Sequence, residues 1–263
     1  MTAPRAWTLS GGVFREGAEV PVTDRGFRYG MSVFETLAVH RGRKLFVGEH
    51  LQRLQRACAA AEFGFPDELP SALGELSCDD GVFRIYVTAG DGGFSHPSDA
   101  VRTYALFDAM TFPSADSPCR ITLSRAPLAC VLGGWKTGNY WPHVQALTAA
   151  KKQGFDEALL FNGGGALVSA AMANVLLVRD GRLLTPATEL GARDGVVRDW
   201  VLRHRPVEES QLAPEDLETA DECFLTNSRI GVRPVTEIDG RSLPSRKTGD
   251  ALATLYREEI LGG

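Results

Sequence analysis

A proline- and serine-rich stretch, TFPSADSP at residues 111–118, most restricts how this chain can fold, because strands and helices are expected on both sides of it. Before it, apolar residues recur at helical spacing over 48–63, and strand-like runs occupy 82–88 and 102–110. After it, strands are expected at CRITLSR, EALLFN, NVLLV, RLLTP and ECFLTN, with helices at 139–153, from about 194, and at 248–260. We therefore predict an α+β protein of two domains, 1–112 and 119–263, joined by a linker at 113–118.

Composition limits the classes of function. The 263 residues are 44% apolar and 23% charged, as in globular proteins. A net charge of -5 argues against a broad nucleic-acid surface but permits a local basic pocket for a small anion. There is no run of about 18 apolar residues, and the first residues lack the apolar segment of a secretory signal. We expect a cytoplasmic protein that neither spans a membrane nor binds nucleic acid.

Neither the cysteines nor the histidines have metal-ligand spacing. The five cysteines are odd in number and form no CxxC pair, which is typical of reduced thiols in a cytosolic protein. We assign no metal. The cysteines are Cys58, Cys78, Cys119, Cys130 and Cys223.

Lys136 is the leading candidate for chemistry. It lies in KTGNY, between an early DRGFRYG and a late DECFLTNS. Arg53, the stretch DGVVRDW at 194–200 and Ser228 are groups that together could hold a phosphate. A phosphate beside an amine-bearing lysine indicates pyridoxal phosphate bound to Lys136 as a Schiff base. An isolated lysine is usually a solvated surface residue, so this interpretation depends on the surrounding motifs.

Eight motifs, in this order and spacing, resemble the class IV aminotransferases, the fold-type IV pyridoxal phosphate enzymes. The resemblance covers nearly the whole chain and is closest in detail to 4-amino-4-deoxychorismate lyase. It implies a small N-terminal α/β domain, a larger β-barrel-like α/β domain that binds the cofactor, and a homodimer acting on a small amino substrate. The motifs are DRGFRYG, VFET, EHLQRL, KTGNY, DEALLFN, ANVLLV, DGVVRDW and DECFLTNS.

The resemblance implies a role for each candidate. Lys136 matches the family lysine that carries the cofactor and then moves the substrate's α-proton. Arg53, one turn after His50, lies on the helix that presents an arginine to the cofactor phosphate. An arginine fork suits that task, although on a helix surface it is often just a solvated charge.

The remaining phosphate contacts are implied at the late motifs. Gly195 lets the backbone approach the phosphate, and the amides of Val196 and Val197 would open a helix there. Val197 stands where relatives often carry threonine. Ser228 can add a hydroxyl, although a loop serine commonly bonds its own backbone. Tyr29, Phe34, Thr36 and Tyr140 are expected to line the substrate pocket, but aromatic residues are at least as often core.

Ser169 is the informative departure from the family pattern. The family usually has glutamate five positions before the asparagine that is Asn174 here, and this chain has serine. A glutamate would hold the pyridine nitrogen protonated and make the ring a strong electron sink. Serine favours an unprotonated ring, which weakens transamination and is compatible with elimination or with a degraded site.

Other differences concern the branch of the family. Asn139 follows Lys136 by three residues, and TNSRIGVRPV and the glycine-rich AGDGGFSHP are similar to lyase segments. Ala89 stands where relatives often carry arginine, and Met31-Ser32 replaces Asp-Gly. These two departures leave substrate recognition open.

Three hypotheses follow. The first is a lyase that releases pyruvate from 4-amino-4-deoxychorismate and gives p-aminobenzoate. The second is an amino acid transaminase of the branched-chain or D-amino acid type. The third is a non-catalytic relative, because the glutamate is replaced by Ser169.

Overall fold

The chain forms two compact units in a computed structural model that describes residues 4–93, 100–113, 117–128 and 134–262. Unit 1 comprises Met1–Thr111 and Trp135–Asn139; unit 2 comprises Phe112–Gly134 and Tyr140–Gly263. The middle of the predicted linker, the end of AGDGGFSHP and Cys130 lie outside the described residues.

Unit 1 is built on one antiparallel sheet. Among its described residues six strands pair in the order β2-β1-β6-β5-β3-β4. The core lies between this sheet and the helix α2, where Leu37, Leu54 and Phe83 are fully buried. The strands are β1 Arg5–Ser10, β2 Val13–Glu16, β3 Ser32–His40, β4 Arg43–Lys44, β5 Gly81–Thr88 and β6 Arg102–Ala109, and the helices are α1 Arg25–Tyr29, α2 Val47–Ala60 and α3 Leu69–Glu75.

Unit 2 contains two five-stranded sheets in its described part, ordered β12-β11-β10-β13-β14 and β16-β15-β7-β8-β9. Leu159, Val175 and Leu225 contribute to a core shared by both sheets. The strands are β7 Arg120–Leu123, β8 Glu157–Phe161, β9 Leu167–Ala170, β10 Asn174–Arg179, β11 Arg182–Pro186, β12 Glu208–Ser210, β13 Glu222–Asn227, β14 Gly231–Pro234, β15 Glu237–Ile238 and β16 Arg241–Ser242, and the helices are α4 Trp141–Lys152, α5 Val196–His204, α6 Pro214–Glu218 and α7 Lys247–Tyr256.

Local sequence signals account for most of these elements. The opening hairpin turns at Gly11 and Gly12, and β10 turns into β11 at Asp180 and Gly181; all four residues have φ between 52 and 77°. Two successive positive φ values match the twist of two-residue hairpins, and glycine or aspartate at these positions tolerates them. The predicted helices and strands are confirmed, with shifts of a few residues at their ends.

The sequence patterns do not predict strand β3, because VFET indicates only a family motif. It pairs along its length with β5, and nearly all its residues are buried. The short elements α1, α3 and β9 were likewise not predicted. Short elements of this kind depend on tertiary packing more than on local propensity.

The segment Trp135–Asn139 belongs to unit 1, whereas the sequence prediction left it in the second domain. The reason is backbone pairing with β3: Val33 lies opposite Thr137, Phe34 N–H donates to the Lys136 carbonyl (2.8 Å), and Gly138 N–H donates to the Ser32 carbonyl (2.8 Å). The domain boundaries themselves stay a prediction.

Gly134, just before this segment, has φ of +80° and lies against the backbone of the 191–192 loop, so that an added Cβ would come within 2.6 Å of the Ala192 carbonyl oxygen. Both the left-handed backbone and the contact with rigid backbone disfavour any larger residue.

We expect Gly134→Ala to lower the free energy of unfolding by about 2 kcal/mol, from left-handed strain plus steric overlap. Gly163→Ala is the matched control in unit 2, because open space surrounds that glycine. Urea denaturation of both variants tests this. Equal stabilities for the two would contradict the proposed clash.

Candidate functional site

Lys136 is held next to the start of β3. Its carbonyl accepts from Phe34, and its Nζ lies 4.0 Å from the centroid of the Phe34 ring. Phe34 is itself buried and stacks on Tyr86 at 5.0 Å. The amine is therefore placed over an aromatic face that attracts a cation. Gly30 and Gly138 allow the two chain segments to lie close together. A Cβ on Gly30 would meet the Asn139 side chain, and a Cβ on Gly138 would meet Ser32.

Arg53 is bound to a buried carboxylate. Its Nε and Nη2 donate to the two oxygens of Glu35, both at 2.6 Å, and His50 Nδ1 lies 2.8 Å from Glu35 Oε2. Because side chains alternate along a strand, Glu35 points to the α2 side of the sheet, and Phe34 points to the other side. The structure thus brings Lys136 and Phe34 together and ties Arg53 to Glu35 and His50.

This cluster determines three charge states. Burial raises the pKa of Glu35, but the charge of Arg53 and the hydrogen bonds from His50 and Arg53 outweigh it and hold that pKa well below its usual range. Burial lowers the pKa of His50 despite its bond to Glu35. We therefore describe an ionised Glu35 that accepts from a charged Arg53 and from the Nδ1–H of a neutral His50.

In unit 2 the loop before α5 is fixed by two asparagines. Asn162 Nδ2 donates to the Leu190 carbonyl (3.0 Å), and Asn174 Nδ2 donates to the Arg193 carbonyl (2.8 Å). A Cβ on Gly195 would collide with the Asn174 side chain. Glycine is therefore required where this loop enters the helix.

Helix α5 begins without a side-chain cap, after Gly195. The first N–H groups of a helix have no partner within it, so this end can bind an anion. Val196 and Val197 have buried side chains, and only their backbone faces the start of the helix as a donor. Valine in place of threonine at 197 is consistent with that role, because the side chain packs in the core.

Ser169 and Ser228 belong to different sheets of unit 2. Ser169 is buried on β9, opposite Leu160 of β8. Ser228 follows β13 in a tight turn that Asn227 organises, accepting from the next amides and donating to the Met172 carbonyl at 2.8 Å. Asn227 therefore anchors the Ser228 turn to the chain that follows β9.

Glu157 is a buried carboxylate in the same sheet as Ser169. Alternation along β8 places Glu157 on the face opposite to that of Leu160 and Ser169. Its oxygens accept from the amides of Ala158 and Met172, and burial raises its pKa to about 7. Glu157 consequently does not supply the carboxylate that the Ser169 position lacks.

The remaining pocket candidates lie on three elements of the chain. Tyr29 ends α1, with the Arg28 guanidinium 4.7 Å from its ring centroid. Thr36 shares the Phe34 face of β3. Tyr140 precedes α4 and contacts Arg193 and His143 in unit 2.

Sequence reasoning assigned no role to Glu35, His50, Asn162 or Arg193. One signal was available: Glu35 interrupts an apolar strand, and a buried charge requires partners. His50 and Arg53, three apart, share one face of α2 and meet that need. For Asn162 and Arg193 no local signal exists, because their contacts are 28 and about 50 residues away.

The family model of amino-transferase class IV matches residues 32–238. The chain belongs to the class IV aminotransferase family. The chain is 27% identical to a D-alanine aminotransferase of Listeria monocytogenes over 95% of this chain and 93% of that protein. It is also 27% identical to an aminodeoxychorismate lyase of Vibrio harveyi, over 90% and 93% of the two chains.

Solved structures agree with this assignment. The 4-amino-4-deoxychorismate lyase of Pseudomonas aeruginosa superposes with a TM-score of 0.81 and 28% identity, covering 97% of this chain and 99% of that one. The fold-type IV architecture and the family expected from the sequence are thereby confirmed. Class IV aminotransferases are pyridoxal phosphate enzymes, which confirms the expected enzyme class and cofactor at the level of the family.

The described residues of this class IV chain fit that cofactor chemically. The amine of Lys136 is suited to form a Schiff base with an aldehyde. The uncapped amides at the start of α5 and the hydroxyl of Ser228 are suited to donate hydrogen bonds to a phosphate dianion. The glycine that admits close approach at α5 is one whose Cβ space is filled by Asn174. In the described ranges no three His, Cys, Asp or Glu side chains cluster as a metal site, and no helix is long and apolar enough to cross a membrane.

We expect Glu35→Gln to lower the free energy of unfolding by about 3 kcal/mol at pH 7, because it leaves Arg53 without its buried anion. Glu35 has a depressed folded pKa, so its contribution is complete above the unfolded value of about 4.3 and is lost as pH falls below it.

The measurement is urea denaturation at pH 7 and pH 3. The gap between wild type and Glu35→Gln should shrink at pH 3, whereas exposed Glu75→Gln should show no gap at either pH. A gap of constant size would show that folding does not lower the pKa of Glu35.

Proposed function

We propose that this class IV enzyme is a lyase that converts 4-amino-4-deoxychorismate to p-aminobenzoate and pyruvate. The observation that supports it best is the buried Ser169 at the position of the family glutamate, with Glu157 directed to the opposite face of the sheet. Ser169 offers the pyridine nitrogen of a bound cofactor no carboxylate, which would leave that nitrogen unprotonated and the ring a weaker electron sink, as an elimination would tolerate.

Each part of the cofactor is proposed to have its own partner in the protein. Lys136 would carry it, the amides of Val196 and Val197 with Ser228 would bind its phosphate, and Ser169 would face its ring nitrogen. Arg53 would add its positive charge to the phosphate while Glu35 and His50 fix its orientation. Tyr29, Phe34, Thr36 and Tyr140 are proposed to line the substrate pocket.

The chemistry divides between cofactor and protein. Bound pyridoxal phosphate supplies the conjugated system that delocalises the carbanion. Lys136 Nζ, once it no longer carries the cofactor, takes the proton from the carbon that bears the amine of the substrate. The bond from the adjacent carbon to the ether oxygen then breaks, and the leaving enolpyruvate gains a proton and becomes pyruvate. The elimination leaves the six-membered ring of the substrate aromatic, so the reaction needs no oxidant.

Transamination is the second candidate, and the likeness to a D-alanine aminotransferase favours it. Both reactions begin with proton removal by Lys136, so product analysis separates them. Formation of p-aminobenzoate and pyruvate supports elimination; a 2-oxo acid whose yield depends on an amino acceptor supports transamination. Neither product, from protein that retains cofactor, would support the non-catalytic alternative.

We further propose a cytoplasmic homodimer with domains at 1–112 and 119–263. The proposal rests on likeness to the family, in which a neighbouring subunit completes the site. Light scattering that returns a monomer would refute the dimer.

For the cofactor, we expect purified protein with pyridoxal phosphate to show a visible band that borohydride bleaches, and Lys136→Ala to lack it, with catalysis reduced by at least about 10³-fold. Lys152→Ala, an exposed lysine at the end of α4, serves as the control and should retain the band. A wild-type protein without the band would refute the role of Lys136.

For reaction choice, we expect Ser169→Glu to raise the ratio of 2-oxo acid to p-aminobenzoate by about tenfold, because a carboxylate would protonate the ring nitrogen. Ser169→Ala removes the hydroxyl without adding a charge and should leave the ratio near that of wild type. If Ser169→Glu folds, binds cofactor and leaves the ratio unchanged, residue 169 does not control the reaction.

A further inference from the structure

Arg193 makes an unusual set of contacts in the loop before α5. Its Nη1 donates to the hydroxyl oxygen of Tyr140, and its Nη2 lies 3.0 Å from Nε2 of His143. The guanidinium carbon is 5.0 Å from the centroid of the Tyr140 ring. One planar cation therefore joins the phenol and imidazole at the start of α4.

The rings themselves are aligned. Tyr140 and His143 stack with centroids 4.5 Å apart and planes 14° from parallel, and His143 is 7% exposed. The Arg193 main chain is fixed as well, since its carbonyl accepts from Asn174 at 2.8 Å and from Gly195 N–H at 2.9 Å. The side chain thus extends from a rigid point to a rigid ring pair.

Hydrogen-bond chemistry fixes the proton positions. A guanidinium only donates, so His143 Nε2 must offer a lone pair and the imidazole must be the neutral Nδ1–H tautomer. The hydroxyl oxygen of Tyr140 likewise accepts from Arg193. Its own proton is then directed to another acceptor, and a phenol whose oxygen accepts from a cation is a stronger donor.

We propose that Arg193 is a positioning residue that holds Tyr140 as an oriented hydrogen-bond donor to an anionic oxygen in the active site. The proposal rests on the proposed function, because Tyr140 follows Lys136 by four residues and is assigned to the pocket there. The anionic oxygen belongs either to the bound cofactor or to a carboxylate of the substrate, and these sources differ in what they change.

The first test titrates the visible absorbance of the cofactor-bound protein with pH, without substrate. If Tyr140 donates to a cofactor oxygen, Arg193→Leu should raise the midpoint of the spectral change by roughly one pH unit, because the anionic form loses support. If it donates to a substrate carboxylate, the midpoint stays in place and KM for the amino substrate rises about tenfold at constant kcat.

A double-mutant cycle shows whether Arg193 acts through Tyr140. In a Tyr140→Phe background, Arg193→Leu should add nothing to either readout. Arg193→Lys should restore part of the effect, since one ammonium can reach the phenol but cannot span both rings. Arg205→Leu, at an exposed arginine after α5, is the control.

Two results would overturn the proposal. One is Arg193→Leu protein, stable in urea, with an unchanged spectral midpoint and an unchanged KM. The other is read on the wild-type protein, so it does not depend on whether Arg193→Leu folds. In nitrogen-15 NMR, assigned with His143→Gln, a His143 proton on Nε2 would exclude donation by Arg193. Loss of the visible band altogether would count instead against the proposed function.

Discussion

The pairing of Trp135–Asn139 with the start of β3 is the constraint on which the proposed chemistry depends. Two backbone hydrogen bonds of 2.8 Å set the register, and Lys136 therefore shares a face with Phe34. On a flexible loop, backbone rotations would move the lysine away from the orientation that a reaction requires. Here only the side chain remains to be ordered, and an aromatic face already lies beside it.

Two buried carboxyl groups, those of Glu35 and Glu157, each lie on a defined face of their sheet. Glu35 is buried on the α2 side, where Arg53 and His50 neutralise and orient it, and Glu157 is buried on the face opposite Ser169. Each of these buried carboxyl groups has its own hydrogen-bond donors, as the burial of a polar group requires. The face that carries Ser169 keeps no carboxylate from Glu157, and this absence favours elimination in the proposed function.

The loop before α5 shows how polar side chains can replace regular structure. Asn162 and Asn174 each donate to one of its carbonyls, Gly195 gives the close approach, and Arg193 extends from the same loop to two aromatic rings. Because the main chain is fixed on both sides of Arg193, its side chain can set the direction of a neighbouring hydroxyl.

The sequence alone determined the family, the α+β class, most helices and strands and the two hairpins, because these follow from motif order, apolar periodicity and turn residues such as Asp180-Gly181. It identified Lys136 and Ser169 by their place in motifs. Only the tertiary structure decided that Lys136 pairs with β3, that Glu35 holds Arg53 and that Arg193 meets Tyr140. Those contacts join residues 18 to about 100 positions apart, and local propensity carries no information about pairing over such distances.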